Sequence, residues 1–236
     1  MNHIVPLNGR DHGTLRFDRD AAGATRRIVR LGLSEIAFAA ADMPLCLAKD
    51  ANTGQFNLVA LLGMVEAANL FSFGGGFQAT YVPRAALLTG FRLHGDGVAG
   101  LAIDPSDPTI GPAGEALFED GRPTALAGHL HAALEQVMAD VAAAQPLVDL
   151  YAAKRLIRPL ALTVRQADGG DHDIAGLYTI DTAALRALPD DDIVALHRRD
   201  ALAPSAILSA SLAQIERLRQ LHNNRFEPAI TACDIG

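Results

Sequence analysis

The chain has 236 residues, half of them hydrophobic, and its 27 acidic residues outnumber its 20 basic ones to give a formal net charge of −7. This length and composition suffice for a substantial buried core. The basic residues are scattered rather than gathered on one face, which argues against a nucleic-acid partner. We interpret the short basic cluster at residues 26–30 as a solvated segment ahead of the first strand.

Cysteine usage and hydropathy indicate the cellular compartment of the protein. The two cysteines, Cys46 and Cys233, form neither a disulfide framework nor a metal motif, which favours a reducing compartment. The apolar runs are far shorter than the roughly 20 residues of a membrane helix, and the first residues lack a secretory pattern. We therefore predict a cytoplasmic protein without a membrane span.

The first half of the chain predicts mainly strands. Residues 1–25 are polar and interrupted by glycines, which predicts an irregular arm. A strand over residues 43–48 and the apolar run 58–64 flank turn residues, so the two are expected to pair antiparallel. Residues 91–103 predict a second hairpin around a glycine-containing turn, and the proline-rich stretch 104–124 predicts a long loop.

The second half predicts mainly helices. Apolar residues at helical spacing predict a helix that begins after Thr124 and is ended or kinked by Pro146. Residues 160–180 predict a hairpin, because two apolar segments flank a glycine turn. A last amphipathic helix covers residues 207–221, and residues 223–236 lose periodicity and predict a loose tail.

Together these elements predict one α+β domain over residues 1–236. A mixed, mainly antiparallel sheet packs against helices from the C-terminal half. The last helix carries an apolar stripe that includes Leu208, Leu212, Ile215 and Leu218. Such a stripe more often covers a sheet, and a homodimer closed by this helix is the alternative.

One pattern suggests metal chemistry. His94 and Asp96 form a His-x-Asp motif, which together with a distant histidine supplies the three ligands of a non-haem Fe(II) oxygenase. His131 or His172 is the candidate third ligand, and Arg165 is a candidate to hold 2-oxoglutarate. Two observations argue against a metal site: glycines flank the motif, so a hairpin turn explains it, and a helical His131 is poorly placed to reach a turn. No other catalytic signature occurs in the sequence.

A series of short segments occurs in a fixed order along residues 33–220. They are residues 44–50 (PLCLAKD), 59–63 (VALLG), 69–71 (NLF), 81–83 (YVP), 103–104 (ID), 114–118 (GEALF), 120–121 (DG), 176–178 (GLY), Asp181, Leu185 and residues 188–190 (LPD). Taken together and in this order, they resemble the bacterial SapC family. The family pattern has a tryptophan ahead of its Tyr-x-Pro motif and aromatic residues after it, whereas this chain has Phe77 and the run 87–91 at those places, so it resembles a divergent member.

The resemblance implies a non-catalytic accessory or binding protein that recognises a peptide or protein partner in a bacterial uptake or modification pathway. The resemblance also implies pathway neighbours, namely flavin-dependent halogenase-like proteins, cupin-like proteins and TonB-dependent receptors. The resemblance implies no cofactor, and it supplies no catalytic residues. The alternatives are the Fe(II) and 2-oxoglutarate oxygenase and a structural protein associated with the surface layer.

Overall fold

A computed structural model describes residues 4–65 and 68–236 and has the predicted α+β fold. Its helices are α1 (Gly9–His12), α2 (Ile36–Ala39), α3 (Arg84–Leu87), α4 (Ala125–Ala153), α5 (Thr182–Arg186), α6 (Asp190–Arg198), α7 (Leu202–Ser211) and α8 (Ile215–Asn223). Its strands are β1 (Val5–Pro6), β2 (Arg16–Phe17), β3 (Ile28–Arg30), β4 (Leu45–Lys49), β5 (Phe56–Leu61), β6 (Ser72–Phe73), β7 (Gly76–Phe77), β8 (Phe91–Leu93), β9 (Leu101–Ile103), β10 (Ile110–Gly111), β11 (Glu115–Ala116), β12 (Phe118–Glu119), β13 (Arg122–Pro123), β14 (Ile157–Pro159), β15 (Leu162–Gln166), β16 (Asp171–Ile174), β17 (Leu177–Ile180) and β18 (Ile230–Ile235).

A central antiparallel sheet has the strand order β14-β17-β4-β5-β3. The predicted pairing of β4 with β5 is confirmed, with Leu45 opposite Ala60 and Lys49 opposite Phe56. The apolar run of β5 is buried because helices α4 and α7 pack against this sheet. The order places β4 at the centre and β3 at one edge of the sheet.

The predicted hairpin over residues 160–180 is confirmed in its first half only. Strands β15 and β16 pair antiparallel around the expected turn. The chain then breaks at Gly176, whose φ of 81° suits glycine. Strand β17 leaves the hairpin and inserts between β14 and β4. The returning segment is therefore two strands, β16 and β17, in two different sheets.

Both chain ends differ from the predictions. The predicted irregular arm contains β1, which pairs with β9, and β2, which pairs with β10 and β11. The predicted loose tail contains β18, which pairs with β15. The predicted loop 104–124 contains β10 to β13. Most of these strands have two residues, too few for a period-2 pattern, and all except β12 and β13 pair with partners distant in sequence.

Helix α4 continues across Pro146. The prediction that the helix ends at this proline is therefore wrong. Residues Leu130 and Val137 ahead of the proline pack into one apolar cluster, and Val148 and Tyr151 after it pack into another. Burial on both sides of the proline stabilises the helix across it, which offsets the hydrogen bond that proline cannot donate. That all of this is one domain stays a prediction.

The last predicted helix is two helices, α7 and α8, joined by a 3-10 turn at Leu212–Gln214. The side chains of Leu208, Ile215 and Leu218 on its apolar stripe are buried within the chain's own core. The stripe therefore covers the sheet, as the more frequent role of such helices predicted. A homodimer stays an untested prediction.

Between β8 and β9 the chain contains Gly95, Gly97 and Gly100, and the first two differ in the space around them. A Cβ built on Gly97 would lie 1.6 Å from the carbonyl oxygen of Leu101, whereas a Cβ on Gly95 would meet no atom within 4 Å. We expect Gly97→Ala to lower the free energy of unfolding by about 1–3 kcal/mol, because the turn must shift. The matched Gly95→Ala change should stay within about 0.5 kcal/mol. Urea denaturation of both variants checks this, and equal losses would contradict it.

The buried carboxylate of Asp42 joins three segments. Its oxygens accept hydrogen bonds from the Thr80 backbone N–H (2.7 Å), the Thr80 hydroxyl and Arg217 Nη1 (2.6 Å). Burial raises the pKa of Asp42, but the Thr80 hydrogen bonds and the Arg217 charge outweigh burial, and the pKa lies below its usual 3.8. The ionised form is therefore the one that the fold stabilises.

A lowered pKa in the folded state gives stability that is present at neutral pH and lost as the pH falls through that pKa. We expect wild type to be more stable than Asp42→Asn at pH 7, and the difference to shrink below about pH 4. Urea denaturation of both proteins over a pH series measures the difference. A difference that does not change with pH would contradict the assigned role of Asp42.

Candidate functional site

The structure places the predicted metal ligands in separate local contacts. His94 Nδ1 accepts a hydrogen bond from the backbone N–H of Asp96 (3.2 Å), and the Asp96 side chain is exposed. His131 lies on α4 with its ring close to Gly100, and its Nε2 lies 3.4 Å from Glu135 Oε1. The His131 ring thus lies against the connection that carries His94, and its Nδ1 is buried without a hydrogen-bond partner among the described residues. The contacts of His94 Nδ1 and His131 Nε2 are nevertheless to residues of their own elements.

The other two candidate residues also have partners of their own. His172 Nε2 lies 2.6 Å from Gln166 Oε1, and Arg165 forms an ion pair with Asp234 at 2.8 Å. Over residues 4–65 and 68–236, no three His, Cys, Asp or Glu side chains are grouped as metal ligands. The iron and 2-oxoglutarate hypothesis stays a prediction that metal analysis would test.

A groove runs along the free edge of the central sheet. We call it the edge groove. It has a volume of about 500 Å³, within the range of ligand sites. Strand β3 forms one side, and α3, β8 and the middle of α4 form the other. Its lining residues are Arg26, Ile28, Val29, Arg30, Ala85, Leu88, Thr89, Phe91, Arg92, Leu93, Leu134, Val137 and Met138.

The backbone of β3 faces the edge groove with hydrogen-bonding groups. Arg27 O accepts from Leu62 N (2.6 Å), and Leu31 N donates to Leu58 O (3.0 Å), so these alternate residues point toward β5. The alternation of an antiparallel ladder turns the N–H and C=O of Ile28 and Arg30 the other way. Within the described residues no hydrogen bond reaches those outward groups. The strand is an open edge, of the kind that pairs with another chain.

The lining of the edge groove is cationic. Arg26, Arg30 and Arg92 line it, and none of its lining residues carries a carboxylate. Arg26 lies 3.6 Å from Asp107 and Arg30 lies 3.5 Å from Asp50, both outside the lining. A guanidinium has five N–H donors, and each of these contacts occupies a small part of them. Donors therefore remain for an anionic ligand.

The far wall of the edge groove is apolar. Phe91, Leu134 and Val137 are buried, and Met138 beside them is 56% exposed. Across the groove Ile28 is 38% exposed. Methionine is flexible and adapts to different apolar surfaces. The far wall is thus mainly apolar, with Arg92 as its charged residue, and the β3 side offers charge and backbone hydrogen bonding.

A buried carboxylate holds α3, which forms one wall of the groove. Glu35 is 1% exposed and accepts hydrogen bonds from Gly32 N (2.8 Å), the Tyr81 hydroxyl (2.8 Å) and Arg84 N (2.9 Å). Arg84 also contacts Asp140 of α4. The pKa of Tyr81 is raised, mainly by burial and next by the Glu35 carboxylate. The Tyr81 hydroxyl therefore remains a hydrogen-bond donor at neutral pH. These contacts fix α3 between β3 and α4.

The groove was not predicted from the sequence, although its basic residues were noted. The cluster at residues 26–30 was interpreted as a solvated segment, whereas the structure places it on and beside edge strand β3. An Arg-x-x-x-Arg spacing that overlaps a short apolar strand is the signal that was present. Arg92 lies 62 residues from Arg30 in the sequence, so no local pattern joins it to the other two.

Comparison with known proteins gave one family. A family model described as SapC matches residues 7–218, a span that includes every residue of the edge groove. The comparison with curated proteins gave no match, and neither did the comparison with solved structures. Among the described residues, the helices are too short or too polar to cross a membrane.

Proposed function

The chain belongs to the SapC family, and we propose that it serves there as a non-catalytic binding protein, which takes an extended acidic segment of a protein partner as an additional strand beside β3. The observation that supports this is the outward-facing backbone of Ile28 and Arg30 next to three groove arginines. We place this role in the bacterial cytoplasm, in an uptake or modification pathway, and without a cofactor.

The geometry of a strand explains how such a segment is recognised. In strand addition the main-chain hydrogen bonds supply affinity, and pockets for alternate side chains supply specificity. Successive side chains of the added strand point to opposite faces. One face then meets the guanidinium groups of Arg26 or Arg30, and the other meets the far wall, where Arg92 lies among apolar side chains. A segment that alternates acidic and apolar residues satisfies both.

The expected affinity is modest and depends on salt. Strand β3 has three residues, so the outward groups of Ile28 and Arg30 provide about four hydrogen bonds, each with a net contribution of about 1 kcal/mol. Arg30 is largely exposed, and its attraction to a carboxylate is screened as ionic strength rises. A short interface of this kind suits a transient partner.

Two synthetic decapeptides test the proposal, one alternating valine with glutamate and one alternating valine with lysine. In ¹⁵N-resolved NMR titrations we expect the glutamate peptide to shift the amide signals of Ile28 and Arg30 and to bind at least about tenfold more tightly than the lysine peptide. Raising the salt concentration should weaken the binding of the glutamate peptide and should not weaken the binding of the lysine peptide. Equal affinity of the two peptides, or shifts confined to other strands, would refute the proposal.

A further inference from the structure

A second cavity lies beside the edge groove and is separated from it by Leu88 and Val137, which line both. We call it the α4 cavity. Its volume is about 120 Å³. The buried side chains of Phe17, Leu126 and Leu130 form its floor and walls. An apolar cavity of ~150 Å³ accepts benzene, so this one accommodates an apolar group of about that size or slightly smaller.

The rim of the α4 cavity is polar and cationic. Arg19, Arg84, His129 and Gln136 line it, and no carboxylate is among its lining residues. Arg84 is held by Glu35 and Asp140, which fixes its position and neutralises its charge. Arg19 is different, because within the described residues its side chain has neither a hydrogen bond nor an ion pair.

The neighbours of Arg19 leave its guanidinium available. Asp18 precedes it, but the Asp18 carboxylate caps the following turn by accepting from Asp20 N at 2.9 Å. A guanidinium beside an apolar cavity is complementary to a molecule with a carboxylate at one end and a compact apolar group at the other. Guanidinium and carboxylate form two parallel hydrogen bonds, which adds orientation to the attraction.

We infer that the α4 cavity binds a small monocarboxylate whose apolar part is about the size of a phenyl ring. The ring lies between Phe17, Leu126 and Leu130, and the carboxylate pairs with Arg19 at the rim. The volume favours a compact apolar group over a long acyl chain, and the absence of carboxylates from the rim favours an anion over a cation. This site is independent of the edge groove and of the function proposed for it.

Phenylacetate is the probe, with 2-phenylethanol as its uncharged counterpart. In NMR titrations of the full chain we expect phenylacetate to shift the signals of Leu126 and Leu130, and 2-phenylethanol to bind about tenfold more weakly. The Arg19→Gln variant should bind phenylacetate about tenfold more weakly and 2-phenylethanol unchanged. Arg16→Gln, which alters an exposed arginine outside the lining, is the control and should change neither affinity.

A cavity-filling variant tests the location. Ala133 lines the α4 cavity on α4 and is half-buried, so Ala133→Phe should place a ring in the cavity and abolish binding of both probes. Circular dichroism establishes whether this variant is folded, and Arg19→Gln tests the same site without altering its packing. Equal binding of the two probes to wild type, or phenylacetate binding that survives both variants, would overturn the inference.

Discussion

The Glu35→Ala variant is expected to lose about 3–5 kcal/mol of unfolding free energy, because three hydrogen-bond donors lose a buried acceptor. The substitution leaves the N–H of Gly32 and the hydroxyl of Tyr81 without their acceptor in a buried site, and each such group costs about 1–3 kcal/mol. Arg84 keeps its contact with Asp140, so the charge of Arg84 is not left isolated. The loss therefore comes mainly from the unpaired donors.

A second glutamate provides a matched control. Glu216 accepts hydrogen bonds from Arg219 (2.7 and 2.8 Å) and Gln220, but its side chain is 54% exposed. We expect Glu216→Ala to cost no more than about 1 kcal/mol, because water replaces the lost contacts. Urea denaturation of the two variants gives the comparison. Losses of equal size would show that the burial of Glu35 does not determine its contribution.

The Glu35 contacts also explain part of the family resemblance. In the Tyr81-x-Pro83 motif, the Tyr81 hydroxyl donates a hydrogen bond to Glu35, and Pro83 lies immediately before α3. The motif is therefore a structural element that positions α3, the wall shared by the edge groove and the α4 cavity. A Tyr81→Phe variant, which removes one donor and keeps the ring, is expected to cost about 1 kcal/mol.

The sequence predicted those elements whose physical cause is local. The apolar run of β5 is buried on both faces and reads as continuous hydrophobic residues, and the turn residues between β4 and β5 specify their antiparallel pairing. The helix predicted to begin after Thr124 was equally local, since apolar residues at helical spacing indicate it and α4 begins at Ala125. The α+β class followed from these elements.

Elements defined by distant contacts were missed. The short strands β1 and β18 are strands because β9 and β15 offer them a pairing edge, and two to six residues of mixed polarity carry no signal of that. The edge groove is the same kind of feature. Its charge depends on Arg26 and Arg92 lying on opposite walls, and its free backbone depends on β3 being the last strand of the sheet. Neither follows from a local pattern.

The largest effect on partner binding is expected from proline at position 28. The backbone N–H of Ile28 points into the edge groove, whereas the backbone N–H and C=O of Val29 point toward β5. A proline at position 28 therefore removes a donor that the added strand needs and none that the sheet needs. The proline ring also occupies the space next to the edge. We expect Ile28→Pro to weaken binding of the valine–glutamate peptide by at least about tenfold, with a stability loss of about 1 kcal/mol.

Two further variants separate the causes of that loss. Ile28→Ala removes the same partly exposed side chain but keeps the N–H, so its affinity should remain within about threefold of wild type, a difference of under 1 kcal/mol. Val29→Pro removes the donor that pairs with β5 and should cost about 3 kcal/mol of stability. Titration calorimetry with the peptide and urea denaturation give the two quantities. Should Ile28→Pro bind as tightly as Ile28→Ala, the backbone of β3 makes no contact with the partner, and strand addition is wrong even if the groove arginines still select acidic peptides.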